Sequence, residues 1–280
     1  MSGKLFLVPT PIGNLGDITD RAREVLGSVD LIACEDTRNT HKLLTLLGIK
    51  TSASLVAYHE YNADKMRPVL LEKLNLGQNI AQVSDAGTPL VSDPGYRLSR
   101  DALDAGLTVV PLTGANALLP ALQLSGLPSD RFLFNGFLST KKSARQTELK
   151  ELAEVPATLI FYESPHRVVE MLSDALAVLG DRPAAVVREL TKKFEQSNRG
   201  MLSKLLAYYQ ENGEPKGEIV IVIGRGEKTQ APQVDVCALL KDALKKHDSV
   251  RDAVDAVTEQ TGLDRRKIYK QALELKNDNE

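Results

Sequence analysis

Tryptophan is absent from this 280-residue chain, and only two cysteines occur, Cys34 and Cys237. They are far apart and form no C-x-x-C pair, which argues against a disulfide framework and against a zinc site. The four histidines, His41, His59, His166 and His247, contain no H-E-x-x-H pair, so no metal is expected. No apolar run reaches the ~18 residues of a membrane span, and MSGKLFLVPT has no long apolar leader. A cytoplasmic protein with no membrane partner is the expectation. Charge of one sign is not in excess either: 35 Lys and Arg stand against 37 Asp and Glu, a net of −2. No global field therefore draws the chain to nucleic acid, and a polyanion would have to meet a local basic patch. With 13 prolines and 19 glycines, long disordered tracts are not expected.

What is present is an ordinary globular balance, 42% hydrophobic and 26% charged, at a length that suits two domains. Short apolar runs at Leu5–Val8, Leu31–Cys34, Asn79–Val83 and Thr108–Leu112 alternate with helical patterns. Thr19 is a predicted helix N-cap. Alternation of this kind predicts βαβ units and a mainly parallel sheet. The segment LSGLPSDRF, with Gly126 and Pro128, reads as a boundary. A second α/β region follows, with strands at 131–138, Thr158–Tyr162, Ala184–Val187 and Glu218–Ile223, and a helix begun by Ser164 and Pro165. The polar stretch 224–233 reads as a linker to three short helices.

Three stretches carry chemistry. VPTPIGNLGDIT (8–19) follows the first strand, where a nucleotide loop would be expected, but Pro9 and Pro11 delete two backbone donors. The loop suits the flank of an uncharged or cationic ligand; a rigid turn with no ligand is the alternative. SDAGTPLVSDPG (84–95) lies at the carboxyl edge where parallel sheets bind ligands, although its Asp and Thr could equally cap a helix. Charges stop several strands: Glu35-Asp36-Thr37-Arg38, Tyr162-Glu163 and Arg188-Glu189-Leu190-Thr191-Lys192. They imply a shared cleft, unless they are solvated surface pairs. His59 is a candidate base or a hydrogen-bonded structural residue. Lys141, Lys142 and Arg145, read as part of a mobile loop before a helix, and Arg265, Arg266, Lys267 and Lys270, could contact phosphates or form a solvated face.

Taken together, VPTPIGNLGDIT, EDTRNT, SDAGTPLVSDPGY, LPSDRFLFNGFL, FYESPHR, RELTK and KGEIVIVI, in this order, resemble the ribosomal-RNA-acting branch of the tetrapyrrole methylase family. The resemblance spans about residues 4–276 and implies an α/β fold class. It implies two unequal α/β domains, 1–117 and 118–228, with the donor site in the cleft between them. A small helical C-terminal domain would occupy 232–280. It further implies S-adenosylmethionine as cofactor, 2′-O-methylation of a cytidine in 16S rRNA of the small ribosomal subunit, a homodimer, and no DNA partner. Carried onto this chain, the donor contacts are Pro11, Ile12, Ser84, Asp85, Ala86, Gly87, Thr88, Asn116, Ala117, Tyr162, Glu163, Arg188, Glu189, Gly217, Glu218 and Ile219. Where the family often has a P-x-P-G-P-like run, this chain has PLTGAN (111–116), which keeps the glycine and lacks two prolines. Asp36, Arg38 and His59 are the expected catalytic groups, and Lys141, Lys142, Arg145, His166, Arg167 and Lys192 the expected RNA contacts. A small tetrapyrrole or other acceptor, or a non-catalytic RNA-binding assembly role, are the competing readings.

Overall fold

Four-residue apolar strands build the first sheet: β1 (Lys4–Leu7), β2 (Leu31–Cys34), β3 (Ser54–Ala57), β4 (Ile80–Val83) and β5 (Thr108–Pro111). The computed structural model describes residues 2–93, 95–226, 236–247, 249–261 and 263–277. Between the strands run α1 (Asp20–Ser28), α2 (Thr37–Leu46), α3 (Ala63–Asn75) and α4 (Tyr96–Asp104). All pairings are parallel, in the order β3-β2-β4-β1-β5. Alternation along the strands divides the core. Val8, Ile32, Cys34, Ala81 and Val83 pack against α1 and α2, whereas Leu5, Leu31, Ala33 and Ile80 pack against α3 and α4. Strands covered on both faces must be apolar throughout, and all four residues of β2 and of β4 are buried. Thr19 caps α1 as its position predicts, its Oγ1 accepting from the Ala22 N–H at 3.1 Å.

The chain then enters a second sheet, preceded by α5 (Leu118–Ser125) and formed with β6 (Phe132–Phe137), α6 (Lys142–Leu152), β7 (Thr158–Glu163), α7 (Val168–Leu179), β8 (Pro183–Arg188), β9 (Gln196–Met201), α8 (Leu202–Asn212) and β10 (Ile219–Ile223). Its order is β6-β7-β10-β8-β9, with only β6 and β7 parallel. At its centre β10, Ile-Val-Ile-Val-Ile, is buried along its whole length. Each such side chain contributes roughly 1.5–3 kcal/mol of transfer free energy. Helices α6, α7 and α8 cover one face; α5 covers the other, beside Ile160, Ala185, Val187 and Val220. The chain thus reaches the second sheet at α5, ahead of the predicted turn at Gly126 and Pro128. Ser164 does not cap α7 with its side chain; Pro165–Arg167 forms a short 3-10 turn before that helix.

Both sheets belong to one compact unit, residues 1–226. Residues 227–280 form another, with α9 (Val236–Lys246), α10 (Val250–Thr261) and α11 (Arg265–Asn277) around Leu240, Val254, Val257 and Ile268. The first of the four basic residues opening α11, Arg265, pairs with Asp255 of α10 at 2.5 Å. The predicted 224–233 linker lies mostly outside the described residues. Among the described residues, no helix is long and apolar enough to cross a membrane.

Candidate functional site

Topology brings the motifs together. In the parallel sheet every strand ends at the same edge, which gathers the opening loop after β1, Glu35 after β2, His59 after β3, the 84–95 loop after β4 and Thr113–Asn116 after β5. In the mixed sheet, β7 and β8 both run antiparallel to β10. Ile219 pairs with Glu163 on one side and with Arg188 on the other. Three segments distant in sequence therefore meet at one edge by register alone.

Loops are bound to each other across these edges. Thr10 and Gly87 exchange two backbone hydrogen bonds, each of 2.9 Å. Thr10 Oγ1 donates to the Ser84 carbonyl at 3.1 Å, and Thr88 Oγ1 to the Ala115 carbonyl at 2.9 Å. Pro9 packs so closely on Gly114 that a Cβ there would collide with the proline ring. The glycine kept in PLTGAN is thus a contact requirement. Asn116 Oδ1 accepts from the Leu119 N–H at 3.0 Å and so holds the start of α5. Opposite, Gly217, at φ +91°, sits against the Glu189 carboxylate, leaving no room for a Cβ. Glu189 Oε1 accepts from the Glu218 N–H at 3.2 Å and from Lys192 Nζ at 2.9 Å. The stem of Lys192 lies over Gly13, and Thr191 Oγ1 accepts from the Asn14 N–H at 3.2 Å, so RELTK is fastened to the opening loop.

A cavity of about 450 Å³ lies between the two edges. Ile12, Val91, Leu190 and Val220 supply apolar wall, and Phe137 and Tyr162 aromatic wall, while the Ile219 side chain packs in the core on the other face of the sheet. Tyr162 is wedged edge-on between Phe134 and Phe137, with ring centroids 4.7 and 5.7 Å away. Four acidic residues, Asp85, Asp93, Glu163 and Glu218, belong to the lining, although the Glu163 side chain itself is buried against Arg167; among the described residues no Lys or Arg lines it. Asp85 accepts from Asn39 Nδ2 of α2 at 2.7 Å. Glu163 accepts from the Ser164 N–H at 2.7 Å and faces Arg167 at 3.4 Å; burial nevertheless pushes its pKa up. Burial likewise raises the Tyr162 phenol. Asp93 is pushed up to about 6, first by burial and then by the neighbouring Glu35 and Asp85, against the lowering influence of the Ser84 hydroxyl. The loop holding Asp93 is strained: Leu90 and Ser92 have φ of +73° and +61°. Such conformations cost about 1–2 kcal/mol per residue, and they concentrate where function demands them. Gly136, at the irregular end of β6, leaves space for Ser92 to approach.

Of the expected donor contacts, Ile12, Asp85, Ala86, Gly87, Thr88, Asn116, Ala117, Tyr162, Glu163, Gly217, Glu218 and Ile219 line this cavity. Pro11 and Ser84 do not; both are buried behind it. Glu189 is absent from the lining because it is engaged with Gly217, Glu218 and Lys192. Arg188 turns into a second cavity of about 240 Å³, where its Nε donates to Gln196 Oε1 at 2.6 Å.

The expected catalytic trio lies outside the lining. None of Asp36, Arg38 and His59 lines the cavity. Asp36 is the N-cap of α2, accepting from the Arg38 N–H at 2.8 Å and from Arg38 Nη2 at 2.7 Å. The arginine's hydrogen bonds hold its pKa at about 2, too low for a useful base. His59 has its Nδ1 buried, with no hydrogen-bond partner among the described residues, beside the Tyr61 ring.

Among the expected RNA contacts, Arg145 is a second correction. It belongs to α6, not to a mobile loop, and its side chain is 2% exposed. Its Nε donates to Asp174 Oδ2 at 2.7 Å, because a guanidinium can be buried only when its donors are met. Arg167 is half-buried, tying the Leu138 and Ser139 carbonyls to Glu163. Lys192 is held between Glu189 and Glu218. Lys141, Lys142 and His166 are exposed, and His166 pairs with Glu214 at 2.6 Å. Sequence reading missed Val91, Ser92, Asp93, Phe137, Ser164, Pro165, Leu190 and Val220 of the lining, and Asn39 behind it. The second S-D pair, Ser92-Asp93, repeats Ser84-Asp85 within one loop and was the available signal.

The family model of the Tetrapyrrole (Corrin/Porphyrin) Methylases matches residues 4–206, and that of the RsmI C-terminal HTH domain matches 230–276. The "Ribosomal RNA small subunit methyltransferase I" of Mesorhizobium japonicum is 48% identical over 274 residues, 98% of this chain and 92% of that protein. Its counterpart from Escherichia coli O157:H7 is 47% identical, over 97% and 95% of the two chains. In fold, the chain is similar to diphthine synthase, with a TM-score of 0.61 at 15% identity over 79% of this chain and 90% of that one. It is also similar to the uroporphyrin-III C-methyltransferase of Thermus thermophilus complexed with S-adenosyl homocysteine, with a TM-score of 0.55 at 19% identity over 79% and 97%.

Proposed function

Because the chain belongs to the tetrapyrrole methylase family, in its ribosomal RNA small subunit methyltransferase I group, we propose that it transfers a methyl group from S-adenosylmethionine to 16S rRNA, at the ribose 2′-oxygen of a cytidine. The observation that carries the donor assignment is the make-up of the lining: Asp85, Asp93, Glu163 and Glu218 belong to it and, among the described residues, no Lys or Arg does. A phosphate-bearing cofactor would meet acidic residues and, among the described residues, no cationic lining residue, the nearby Lys192 being held by Glu189 and Glu218. A sulfonium and an amino group find carboxylates, and an adenine finds the apolar and aromatic wall. The deletion of backbone donors by Pro9 and Pro11 agrees with a ligand that has no phosphate.

When bound, S-adenosylmethionine supplies an electrophilic methyl carbon. The chain's own part is to position and to exclude water. Ile12, Leu190 and Val220 form a dry wall, and Asp85, fixed by Asn39, offers an oriented acceptor. Alignment of the acceptor oxygen with the reacting carbon is worth a large part of any rate gain. Exposed Lys141 and Lys142, at the start of α6, supply positive charge for the RNA backbone. We further infer a homodimer acting in the cytoplasm on the small ribosomal subunit.

The decisive experiment incubates the protein with labelled S-adenosylmethionine and unmodified 30S subunits, and maps label by mass spectrometry. A 2′-O-methylcytidine in 16S rRNA is the expected outcome. Donor binding without labelled RNA would point to a small acceptor. Absence of donor binding would leave a non-catalytic RNA-binding role.

A further inference from the structure

The second cavity, of about 240 Å³, is built by the ends of β8 and α8, the start of β9 and the 213–216 turn. Its lining differs in kind from that of the first. Three amides, Gln196, Asn198 and Asn212, and two phenols, Tyr208 and Tyr209, belong to it with Arg188. A relay of hydrogen bonds orients the amides. Arg188 Nε donates to Gln196 Oε1 at 2.6 Å, Gln196 Nε2 to Asn198 Oδ1 at 3.1 Å, and Asn198 Nδ2 to the Tyr209 hydroxyl at 3.0 Å. Each amide nitrogen carries two N–H donors and each amide oxygen two lone pairs. The relay takes one of each at Gln196 and Asn198, so both keep a donor and an acceptor for a ligand. Tyr209 is buried, and its ring stands at 89° to that of Tyr208, with centroids 5.1 Å apart. That contact steadies Tyr208, which is 42% exposed.

The charges argue against an anionic occupant. Arg188 spends Nε on Gln196 and Nη1 on the Lys216 carbonyl at 3.1 Å, and Glu214 stands in the same lining. An uncharged planar group, with a face to stack and edges that donate and accept, matches these residues. In RNA that group is an unpaired base.

Position supplies the second argument. Glu214 and Lys216 line this cavity, and Gly217 and Glu218 line the first, so one turn walls both. His166 binds Glu214 at 2.6 Å, and its neighbour Pro165 lines the first cavity. Arg167 in turn holds the Leu138 and Ser139 carbonyls, just ahead of the exposed Lys141 and Lys142. The lysines and the two cavities are therefore joined through the 164–167 and 213–218 segments.

Resting on the RNA methyl-transfer reading above, we propose that the second cavity holds an unpaired base of the rRNA substrate, from a nucleotide near the methylated one, stacked on Tyr208 and hydrogen-bonded by Gln196 and Asn198. The methyl transfer stays in the first cavity. The second binds a neighbouring base by its face and edge, and so selects which stretch of RNA presents its ribose.

The test uses the full chain with labelled S-adenosylmethionine and unmodified 30S subunits for kcat and KM, filter binding of 30S subunits with S-adenosylhomocysteine present, and calorimetry of S-adenosylhomocysteine alone. For Y208A the expected result is a KM for 30S subunits raised about 5- to 100-fold, the range that loss of one base–aromatic stack gives, with kcat within about twofold. Y208F, which keeps the ring, should restore the affinity. Q196A should raise KM about 2- to 10-fold, and it carries the test if Y208A does not fold. Y61A is the control, a tyrosine 98% exposed at the start of α3, and should change nothing. Calorimetric binding should match the parent in every variant. The salt slope of 30S binding by Y208A should also match, since a stacked base displaces no counterions. A KM for Y208A within about twofold of the parent overturns the proposal, as does a KM for Y208F as high as that for Y208A. An equal rise in Y61A overturns it too, since any exposed ring would then serve. Loss of S-adenosylhomocysteine binding in folded Y208A overturns it by making this cavity part of the donor site. If Y208A loses affinity for 30S subunits yet binds deproteinised 16S rRNA as tightly as the parent, the cavity meets a ribosomal protein and the proposal falls. No label from the parent removes the methyl-transfer reading, and this proposal with it; label from the parent with an unchanged KM in Y208A removes only the proposal.

Discussion

The two sheets reach the cavity by opposite means. The parallel sheet sends loops out of its carboxyl edge, and the loops brace each other through Thr10, Gly87, Thr88 and Gly114. The mixed sheet brings its residues to the edge by strand register, with Glu163, Arg188 and Ile219 side by side. A loop can be altered one contact at a time. A register is shared by the whole sheet, so damage there spreads to stability. The mixed edge is also braced from behind by buried charge, Arg145 and Asp174, with Arg167 against Glu163. Defects on that side should be the larger and the more global.

Arg145→Ala tests the extreme of this difference. It strands Asp174, 4% exposed at its side chain, without its guanidinium. Loss of one partner of a buried pair costs about 3–5 kcal/mol, to be read by denaturant titration. The salt dependence of RNA binding should stay unchanged in the folded fraction. Lys141→Ala with Lys142→Ala should do the reverse, leaving stability alone and flattening the salt slope. Equal slopes for all variants would remove the 141–145 stretch from RNA contact altogether.

Gly217→Ala comes next. The added Cβ collides with the Glu189 carboxylate, at a backbone φ of +91°. Strain of about 1–2 kcal/mol plus displacement of Glu189 should weaken S-adenosylhomocysteine by tenfold or more and lower the melting temperature. Binding lost without any stability change would mean that Gly217 behaves as a loop and not as part of the register.

On the loop side, Ile12→Asp places an unpaired carboxylate against Leu190 and Val220 and beside four existing acids. Donor binding should fall about tenfold, which corresponds to ~1.4 kcal/mol, while Ile12→Leu stays within threefold. The melting temperature should barely move in either variant. A large stability loss for Ile12→Asp would erase the distinction between the sheets, since Ile12 would then count as core of the mixed sheet.

This contrast also explains what the sequence made legible. Loops after parallel strands carry compact motifs, and VPTPIGNL and SDAGTP are readable as such. The residues Ile12 and Asp85–Thr88 were found from them. Strand β9, Gln-Ser-Asn-Arg-Gly-Met, was not anticipated, because a polar edge strand shows neither an apolar run nor alternation. Arg145 was read as surface because a lone basic residue before a helix has no mark of its distant partner, Asp174. Asp36 and Asp93 look alike in sequence, each an acid just beyond a strand or turn. Only the fold shows that one is neutralised by Arg38 two residues away and that the other faces acids.

The smallest expected effect is at Asn39, and it probes the loop side alone. Asn39 lies in α2, and its amide donates to Asp85 Oδ2 at 2.7 Å. Asp36 caps the same helix, and Arg38 is occupied with Asp36, so of these three residues Asn39 is the one that hydrogen-bonds the lining. Removing one hydrogen bond to a charged group costs about 1.5–3 kcal/mol when the acceptor stays buried, less where solvent can replace the amide. Asp85 is exposed on one side, so Asn39→Ala should weaken donor binding only about three- to fivefold and leave the melting temperature unchanged. Asn39→Asp should be worse than alanine, since it sets a like charge against Asp85 and adds another acid beside a lining with no Lys or Arg among the described residues. If calorimetry finds Asn39→Asp equal to the parent, Asp85 is not oriented by α2, and the loop carries its carboxylate unaided.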